Sequence, residues 1–523
     1  MSPGASADAS IRADDHPSGV ANYVRRRPEE TLLYRVLQNH WRPFLADLDA
    51  GSDGAPLPRF IVEEIEAYLR CGILAHGFLR VRCEECGESR LVGLSCKRRG
   101  FCPSCIGRRM SDTAAHLVDR VLPHVPTRQW VLTVPHALRF RLAFDPALTG
   151  RVLGHFVRAV SSWLRRRARR LGIKGTLKTG AVTVIQRFDS ALGLNVHYHS
   201  TFLDGVYSRQ RTKGPGAGGW ELVFHPTPAP RDEEVAAVVT RVCRAVLNDD
   251  DPDADLAGRD EPTLSSIAQA SIGLRVATGS RRGLAVRRRG PGQPPRRRVS
   301  YEIKGRRCAQ IEGFNLHANT RIAANDRSGL ENLCRYMGRP PLSDDRLAET
   351  SDGNLSLKLK RPWSDGTTHL ILSPTELIEK LLPLVPRPRA HLTRYHGVLA
   401  PAAGWRAMVV PVAQPPDPPV AVSSPEHHDS VPATVPRRGR WTPWAELLKR
   451  VFLVDVLVCP TCAGRMRILA AILDKNSIQA ILRHCGLPTG PPAIVPFRGR
   501  QSSELPEAPP GDFFADPPAP DET

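Results

Sequence analysis

The stretch that decides the fold of this chain is residues 195–203, Asn-Val-His-Tyr-His-Ser-Thr-Phe-Leu. Successive side chains of a β-strand point to opposite faces of a sheet, so His197 and His199 emerge side by side. The large apolar and aromatic side chains of the other face then point into a core: Val196, Tyr198 and Phe202. Two parallel imidazoles can hold one divalent metal ion. A chain with 17 histidines contains roughly half an H-x-H tripeptide by chance, so the motif needs support from its surroundings.

A second strand, predicted at residues 181–188, precedes the histidine strand and forms an antiparallel hairpin with it. Two histidine ligands leave several positions open on Mg²⁺ or Mn²⁺, which suits a metal that polarises a scissile phosphate. A third protein ligand is therefore expected. In one register Gln186 faces His197, whereas a slip of one residue sends it to the other face. Asp204, directly after the histidine strand, is a second candidate and could equally be a turn residue.

A metal at a phosphate needs a nucleophile, and Tyr336 is the strongest candidate among the tyrosines. It falls in a helix predicted at residues 327–338, whose apolar stripe consists of Leu330, Leu333, Cys334 and Met337. At about 100° per residue, Tyr336 lies roughly 110° away from that stripe. Arg335 and Arg339 flank it, and such cations would stabilise a phenolate and the developing charge. The alternative is a half-exposed tyrosine with a structural role.

The strongest local signal is the spacing Cys83-x2-Cys86-x15-Cys102-x2-Cys105. Two Cys-x-x-Cys pairs at this separation suit one tetrahedral Zn²⁺ held by four thiolates. Cys96, which lies between the pairs, could replace one of the four. A site with four thiolates has no open coordination position, so it is predicted to be structural. The basic residues that flank it make it a candidate DNA-gripping module: Lys97, Arg98, Arg99, Arg108 and Arg109.

A further Cys-x-x-Cys pair occurs near the C-terminus, at Cys459 and Cys462. On this part of the chain, His484 and Cys485 are the residues that could complete a metal site with it. The pair therefore leaves two interpretations open, a second zinc site or a reduced structural pair.

Composition and charge indicate the class of partner. The chain has 523 residues and a net charge of +20, which predicts a polyanionic partner, most simply nucleic acid, although a basic balance can also be mere solubility. No run of eighteen apolar residues predicts a membrane span, and the N-terminus has no apolar signal segment. The protein is predicted to be cytosolic, where its 12 cysteines favour metal ligation over disulfides.

Shifts in composition divide the chain into six predicted segments. They are a disordered N-terminus (1–28), a helical and zinc-binding domain (29–115), a catalytic domain (116–401) with a basic, partly mobile insertion (209–305), a Pro-rich linker (402–440), a small C-terminal unit (441–490) and a disordered tail (491–523). The predicted class is α+β, with a central antiparallel sheet and flanking helices between the zinc-binding domain and the C-terminal unit.

Four segments together resemble the HUH-type rolling-circle transposases of the insertion sequence 91 family. They are the zinc segment (95–105), the hairpin (186–207), the tyrosine helix (330–341) and the segment Arg-Tyr-His-Gly-Val-Leu-Ala-Pro (394–401). The resemblance covers about residues 30–485. Members with two nucleophiles carry a second tyrosine one helical turn away, where this chain has Asn332 and Pro340. The chain is therefore similar to the single-tyrosine branch.

The resemblance implies a zinc-binding domain followed by an HUH-like catalytic domain. It implies that His197 and His199 bind catalytic Mg²⁺ or Mn²⁺, and that Tyr336 attacks one DNA strand to give a 5′-phosphotyrosine. Rejoining then needs no ATP, consistent with a sequence that contains no G-x-x-x-x-G-K-[ST] loop. The implied substrate is single-stranded DNA or the hairpin ends of an element. The implied location is the bacterial nucleoid. The resemblance leaves open whether the protein forms a homodimer.

Two other functions are compatible with parts of the sequence. A plasmid relaxase or replication initiator would share the H-x-H motif and the tyrosine, but not the cysteine module. A zinc-dependent DNA-binding regulator without catalysis would keep the cysteines and the charge. The observation that distinguishes the regulator from an enzyme is whether His197, His199 and Tyr336 converge in space.

Overall fold

A computed structural model describes residues 25–51, 55–211, 219–249, 258–290, 302–303, 305–411, 450 and 457–494. The fold mixes helices with antiparallel sheets. The helices of this part of the chain are α1 (Leu32–Gly51), α2 (Arg59–Arg70), α3 (Pro103–Arg120), α4 (His136–Phe144), α5 (Pro146–Arg170), α6 (Asp232–Leu247), α7 (Pro262–Ile272), α8 (Arg327–Gly338), α9 (Pro374–Leu381), α10 (Arg406–Val409) and α11 (Lys475–His484). Short 3₁₀ turns occur at Pro28–Glu30, Leu74–His76, Gly279–Arg281, Asp344–Arg346 and Leu382–Leu384.

Eighteen strands lie within the described ranges. They are β1 (Phe78–Cys83), β2 (Ser89–Gly93), β3 (Thr127–Thr133), β4 (Leu177–Lys178), β5 (Gly180–Phe188), β6 (Leu194–Leu203), β7 (Gly205–Arg211), β8 (Trp220–Pro226), β9 (Arg287–Arg289), β10 (Glu302–Ile303), β11 (Cys308–Ile311), β12 (Phe314–His317), β13 (Arg321–Ile322), β14 (Leu347–Glu349), β15 (Leu355–Lys358), β16 (His369–Leu372), β17 (Thr393–Gly397) and β18 (Met466–Ile472).

The largest sheet contains the histidine strand β6 in its interior, between β3 and β5. Its strand order is β10-β11-β12-β3-β6-β5-β17, and β13 pairs additionally with β3. Neighbouring strands are antiparallel, as predicted, and every residue of β6 is buried. A strand in the interior of a sheet with both faces covered is held rigidly, which suits a site that must keep two side chains in fixed positions.

The two faces of this sheet are covered by different helices. On one face the aromatic and apolar side chains of β6 pack into a core shared with α5 and α6, and this core includes Val196, Tyr198 and Phe202 as predicted. The Tyr198 hydroxyl donates to the carbonyl of Thr149. On the opposite face, α3 and α8 pack against each other and against β5 and β6. His197 and His199 lie on this second face.

Helix α8 has the bounds that the sequence predicts. Asp326 precedes it and accepts a hydrogen bond from the backbone N–H of Gly329, which satisfies one of the unpaired donors of the first turn. The predicted stripe is buried: Leu330, Leu333, Cys334 and Met337. The helix is therefore oriented by its apolar face, and Tyr336 lies outside the part that packs.

The C-terminal segment does not form a unit of its own, which corrects the prediction for residues 441–490. Strand β18 pairs with β1, so the order of the small sheet is β18-β1-β2. Helix α11 buries Ile478 and Leu482 against Leu74 and Phe78 of the N-terminal region. Pairing between strands so far apart along the chain has no local signal in the sequence, which is why composition alone placed this segment apart.

The predicted insertion at residues 209–305 is also more ordered than its composition indicates. It contains α6, which has the predicted bounds 232–247, together with β8 and α7. Strand β9 joins a separate sheet in the order β14-β15-β16-β9, and β8 joins β4 and β7. Residues 212–218, 250–257, 291–301 and 304 of this region lie outside the described residues, as do most of the predicted linker and most of both predicted disordered ends. None of the helices described combines the length and apolar character needed to cross a membrane.

Candidate active site and metal centres

The two histidines of β6 lie side by side beneath α8. Their Nε2 atoms are 3.0 Å apart, and 1% and 3% of the surfaces of His197 and His199 are exposed. Two nitrogen ligands on neighbouring corners of an octahedral ion, with bonds of roughly 2.1 Å, lie about 3.0 Å apart. The spacing of the pair therefore fits an octahedral divalent ion such as Mg²⁺ or Mn²⁺.

The hydrogen bonds of the two rings determine which nitrogen lone pairs are open to a metal. Nδ1 of His197 lies 2.9 Å from the carbonyl oxygen of Asn195, which can only accept, so Nδ1 donates and Nε2 keeps its lone pair. Nδ1 of His199 lies 3.1 Å from Nε2 of Gln129, which is an N–H donor, so in this arrangement Nδ1 accepts and the ring proton lies on Nε2. A half-turn of the Gln129 amide brings its oxygen to Nδ1 and leaves the Nε2 lone pair of His199 for a metal. Burial and the neighbouring positive charges lower the pKa of His199 well below its usual value, so this ring is neutral near pH 7.

Gln186 lies directly opposite His197 in the ladder between β5 and β6, on the same face. Of the two registers considered for the hairpin, this is the one in which Gln186 can be a third ligand. A bulge shifts the pairing of β5 with β6 only after Gln186, so the pair with His197 is not affected. Its Nε2 atom donates to the carbonyl of Met337 at 2.6 Å and approaches that of Tyr336 at 3.4 Å. The Oε1 atom is buried and has no hydrogen-bond partner. An unpaired amide oxygen beside two imidazoles is a suitable third ligand.

Tyr336 meets the histidine pair from α8. Its ring is edge-on to that of His199, with centroids 5.8 Å apart, and the side chain is 48% exposed. The guanidinium carbon of Arg339 lies 4.1 Å from the centre of the tyrosine ring, and Nζ of Lys360 lies 5.9 Å from it. The hydroxyl-bearing ring thus lies between a buried pair of nitrogen ligands and solvent, with two cations beside it.

Arg335 does not belong to this group, which corrects its predicted place beside the nucleophile. Its guanidinium pairs with Glu331 at 2.5 Å, one turn earlier on the same helix. Glu331 also binds Arg450 at 2.6 Å. Neighbouring positions of a helix are about 100° apart around its axis, so Arg335 and Tyr336 face different surroundings.

Asp204 is excluded as the third ligand by its own partners. Both of its carboxylate oxygens accept hydrogen bonds from Arg128, at 3.0 and 2.9 Å, and both side chains are buried. Arg321 adds a second ion pair at 3.3 Å. The carboxylate therefore neutralises a buried guanidinium where β6 ends, a role that an aspartate next to a turn does not reveal in sequence.

Three residues of this site gave little signal in the sequence. Lys360 lies in the loop that follows β15, far along the chain from Tyr336, and Gln129 contacts His199 from β3. The buried Oδ1 atom of Asn195, two residues before His197 and on the same strand face, has no hydrogen-bond partner. Strand alternation could have indicated Asn195, whereas the other two depend on the packing of distant segments.

The cysteines form two groups of four instead of the single predicted group. Cys71, Cys96, Cys102 and Cys105 form the first tetrad, and Cys83, Cys86, Cys459 and Cys462 form the second. In each tetrad all four sulfur atoms lie within 4.8 Å of one another. The predicted grouping of Cys83 and Cys86 with Cys102 and Cys105 is therefore wrong, while Cys96, the predicted alternate, is a full member of the first tetrad.

Cys71 is the ligand that the spacing rule missed. It ends α2, and its sulfur lies 3.6 Å from that of Cys105 and 3.7 Å from that of Cys102. Cys96 lies 3.3 Å from Cys105. Sulfur atoms around a tetrahedral Zn²⁺ with bonds of 2.3 Å are about 3.8 Å apart, so the first tetrad fits zinc. In the sequence, the number of cysteines was the one indication of a second group, because eight clustered cysteines are enough for two complete tetrads.

Comparison with known proteins relates this chain to transposases. Residues 36–134 match the family described as "Transposase zinc-binding domain", and residues 180–405 match the one described as "Putative transposase". The transposase for insertion sequence element IS801 from Pseudomonas savastanoi pv. phaseolicola is 22% identical over 421 residues, which cover 79% of this chain and 84% of that protein. The chain belongs to the insertion sequence 91 family of transposases. No solved structure matches it.

The family assignment gives this transposase a zinc-binding domain at its N-terminus and DNA as its partner. The whole first tetrad falls within residues 36–134, whereas the second takes Cys459 and Cys462 from outside both matched stretches. The histidine strand and Tyr336 both fall within residues 180–405.

The zinc-binding domain of the transposase supports the tyrosine helix directly. Cys102 and Cys105 lie at the start of α3, and α3 packs along α8. Near the end of α8, a Cβ atom added to Gly338 would lie 3.4 Å from the Cα of Met110, so the two helices are in close contact there. At the other end, Arg327 donates to the carbonyl of Leu122 at 3.0 Å. A metal that fixes the start of α3 therefore also steadies the surface on which α8 rests.

The basic residues around the first tetrad divide into two groups. Lys97, Arg108 and Arg109 are exposed, and Arg109 donates to the carbonyl of Lys97 at 3.2 Å. Arg98 pairs with Glu63 at 3.5 Å, and Arg99 donates to the carbonyl of Ala390 at 2.6 Å, so both have structural partners. Contact of the three exposed residues with DNA stays a prediction.

Proposed function

We propose that this transposase cleaves and rejoins one DNA strand through a covalent bond to Tyr336, assisted by a divalent metal ion at His197, His199 and Gln186. The observation that supports the proposal is the meeting of Tyr336 of α8 with the histidine pair of β6. A transposase must break a phosphodiester, and this position combines a hydroxyl nucleophile, two imidazole nitrogen ligands and two cations. That combination favours an enzyme over a DNA-binding regulator.

The strand transfer needs no external energy source. The Tyr336 oxygen, having given up its proton, forms a bond to phosphorus while the bond from phosphorus to the 3′ oxygen breaks. The 3′ oxygen takes up a proton and leaves as a hydroxyl, and the 5′ end of the cleaved strand stays attached as a phosphotyrosine. A later attack by a 3′-hydroxyl reverses these steps and restores a phosphodiester.

The residues around Tyr336 have two electrostatic roles, metal binding and stabilisation of the phenolate. His197 and His199 through Nε2, with Gln186 through Oε1, would hold Mg²⁺ or Mn²⁺, which supplies Lewis-acid stabilisation of the charge on the phosphate. Arg339 and Lys360 lie beside the phenol and stabilise its ionised form and the developing charge. Because the histidine site is buried and Tyr336 is half exposed, the strand approaches from the solvent side of α8.

Paired histidines on the central strand of an antiparallel sheet, with a tyrosine on a helix across it, are the arrangement expected of an HUH-type nuclease. No second tyrosine stands four residues before or after Tyr336, since Asn332 of α8 and Pro340, just beyond the end of the helix, occupy those positions. A single nucleophile per subunit is therefore proposed. The net charge of +20 supports single-stranded or hairpin DNA as the substrate, held through its backbone.

A covalent-adduct assay tests the proposal. Full-length protein is mixed with labelled single-stranded oligonucleotides that carry the ends of the element, with Mg²⁺ or Mn²⁺, and separated on a denaturing gel. We expect a metal-dependent adduct that peptide mass spectrometry maps to Tyr336. Tight binding without an adduct under either metal would contradict the proposal and favour the regulator.

A further inference from the structure

The second cysteine tetrad joins the two ends of the described chain. Cys83 and Cys86 lie at the end of β1 and in the turn after it, and Cys459 and Cys462 lie shortly before β18. The sulfur of Cys83 is 3.5 Å from that of Cys462, and the sulfur of Cys86 is 3.5 Å from that of Cys459. Around a tetrahedral Zn²⁺ the corresponding distance is about 3.8 Å, so only small movements are needed to bind the ion.

The two halves of the tetrad are built alike. The N–H of Gly87 donates to the carbonyl of Cys83, and the N–H of Ala463 donates to that of Cys459. Residues Gly87 and Ala463, each directly after the second cysteine, have positive φ values of 77° and 58°. A left-handed conformation is unusual for alanine and persists where its surroundings require it. Each turn thus presents two thiolates to a common centre.

The two turns are also attached to each other. The N–H of Glu84 donates to the carbonyl of Arg465 at 3.1 Å, and β18 then continues the ladder along β1. Cys83 and Cys459 are buried together with Val81 and Met466 in a small separate cluster. The ligands therefore come from two segments that the backbone already holds in register.

Apolar contacts alone hold the C-terminal segment weakly. Several of its large side chains are exposed, namely Ile468, Leu469 and Leu473. The small core that it shares with the N-terminal region contains only four buried residues. A small unit of this kind commonly obtains its folding free energy from a structural metal.

We propose that Cys83, Cys86, Cys459 and Cys462 bind one structural Zn²⁺ that fastens β18 and α11 to the N-terminal domain. This ion is separate from the one assigned to the first tetrad. It does not depend on the strand-cleavage proposal, because its ligands lie at the β18-β1-β2 sheet and not on the sheet or the helix that contain His197, His199 and Tyr336. Four thiolates close its coordination sphere, so the ion has a structural and not a catalytic role.

Thiol labelling of the unmutated protein tests the site without the risk of misfolding. Cys86, Cys462 and Cys485 are all exposed, but only the first two belong to the tetrad. In the zinc-loaded protein, an alkylating reagent should modify Cys485 readily and the other two only after a chelator is added. Equal labelling of all three before chelation, with zinc measured as present, would overturn the proposal.

Metal analysis of variants identifies the ligands. Full-length protein should contain two zinc ions per chain and no iron. Cys459→Ser with Cys462→Ser should contain one, and adding Cys83→Ser to that pair should remove no further zinc, because all three act on the same ion. Cys485→Ser is the matched control and should keep two. Two ions in the Cys459→Ser and Cys462→Ser protein, or iron in place of the second zinc, would refute the assignment.

Hydrogen exchange tests the fastening itself. Removal of the second ion should increase exchange at the amides of β18 and α11 while the amides of β6 stay protected. Unchanged protection of β18 after verified loss of one zinc would show that pairing with β1 suffices and would overturn the structural role.

Discussion

Tyr336 lies edge-on to His199, with ring centroids 5.8 Å apart and ring planes at 84°. The two residues come from different elements, a surface helix and the most buried strand of the central sheet. Their contact depends on the apolar stripe of α8, whose burial leaves the tyrosine ring between the histidine pair and solvent. The following predictions test what that contact does.

Replacing Tyr336 with phenylalanine should abolish the covalent DNA adduct, because the ring then lacks the attacking oxygen. The fold should be retained, since the side chain of Tyr336 is half exposed and the change removes a single oxygen atom. Tyr395→Phe is the matched control. Tyr395 pairs with Val182 of β5. Val182 lies four residues from Gln186 on that strand, a distance of about 13 Å. An adduct that survives Tyr336→Phe and disappears in Tyr395→Phe would move the nucleophile to Tyr395.

Replacing Gln186 with methionine should weaken the response to metal. The substitution keeps the length of the side chain but removes the unpaired Oε1 atom and the hydrogen bond to Met337. We expect a higher Mn²⁺ concentration for half-maximal cleavage, with the maximal rate largely restored at saturation. A lower rate that no metal concentration restores would indicate that Gln186 positions α8 instead of binding the ion.

Arg339 and Arg335 form a matched pair around the nucleophile. Arg339→Ala should slow cleavage on the order of tenfold to a hundredfold, because it removes the cation stacked on Tyr336. Arg335→Ala should leave the rate nearly unchanged, because its guanidinium binds Glu331 on another side of the helix. Single-turnover rates with saturating DNA separate this effect from binding. Equal losses in both variants would point to general weakening of DNA contacts.

Asp204→Asn should destabilise the fold and leave the metal site intact. The change removes the charge that neutralises the buried guanidinium of Arg128, and breaking a buried pair costs about 3–5 kcal/mol. The measurement is denaturant unfolding, with Glu30→Gln, in an exposed pair with Arg27, as the control that should not move the midpoint. A stable Asp204→Asn protein that no longer responds to metal would return Asp204 to the list of ligands.

Local periodicity predicted much of the catalytic site. The alternation along β6 placed His197 and His199 on one face, and the bounds and stripe of α8 placed Tyr336 off its packed side. These features depend on geometry that repeats every two residues or about every 3.6, so a short stretch of sequence contains them. The role of Asp204 could not be predicted in this way, since its partner Arg128 is on another strand.

The sequence by itself determined which side chains share a face of a strand or helix, the excess of positive charge, and the presence of enough clustered cysteines for metal binding. Only the tertiary structure decided which cysteines form a group, because sulfur atoms meet through the packing of α2, α3, β1 and β18 and not through their spacing along the chain. The same holds for Lys360 beside Tyr336 and for β18 beside β1. Contacts between distant segments depend on how apolar faces are buried together, and no local pattern specifies their partners.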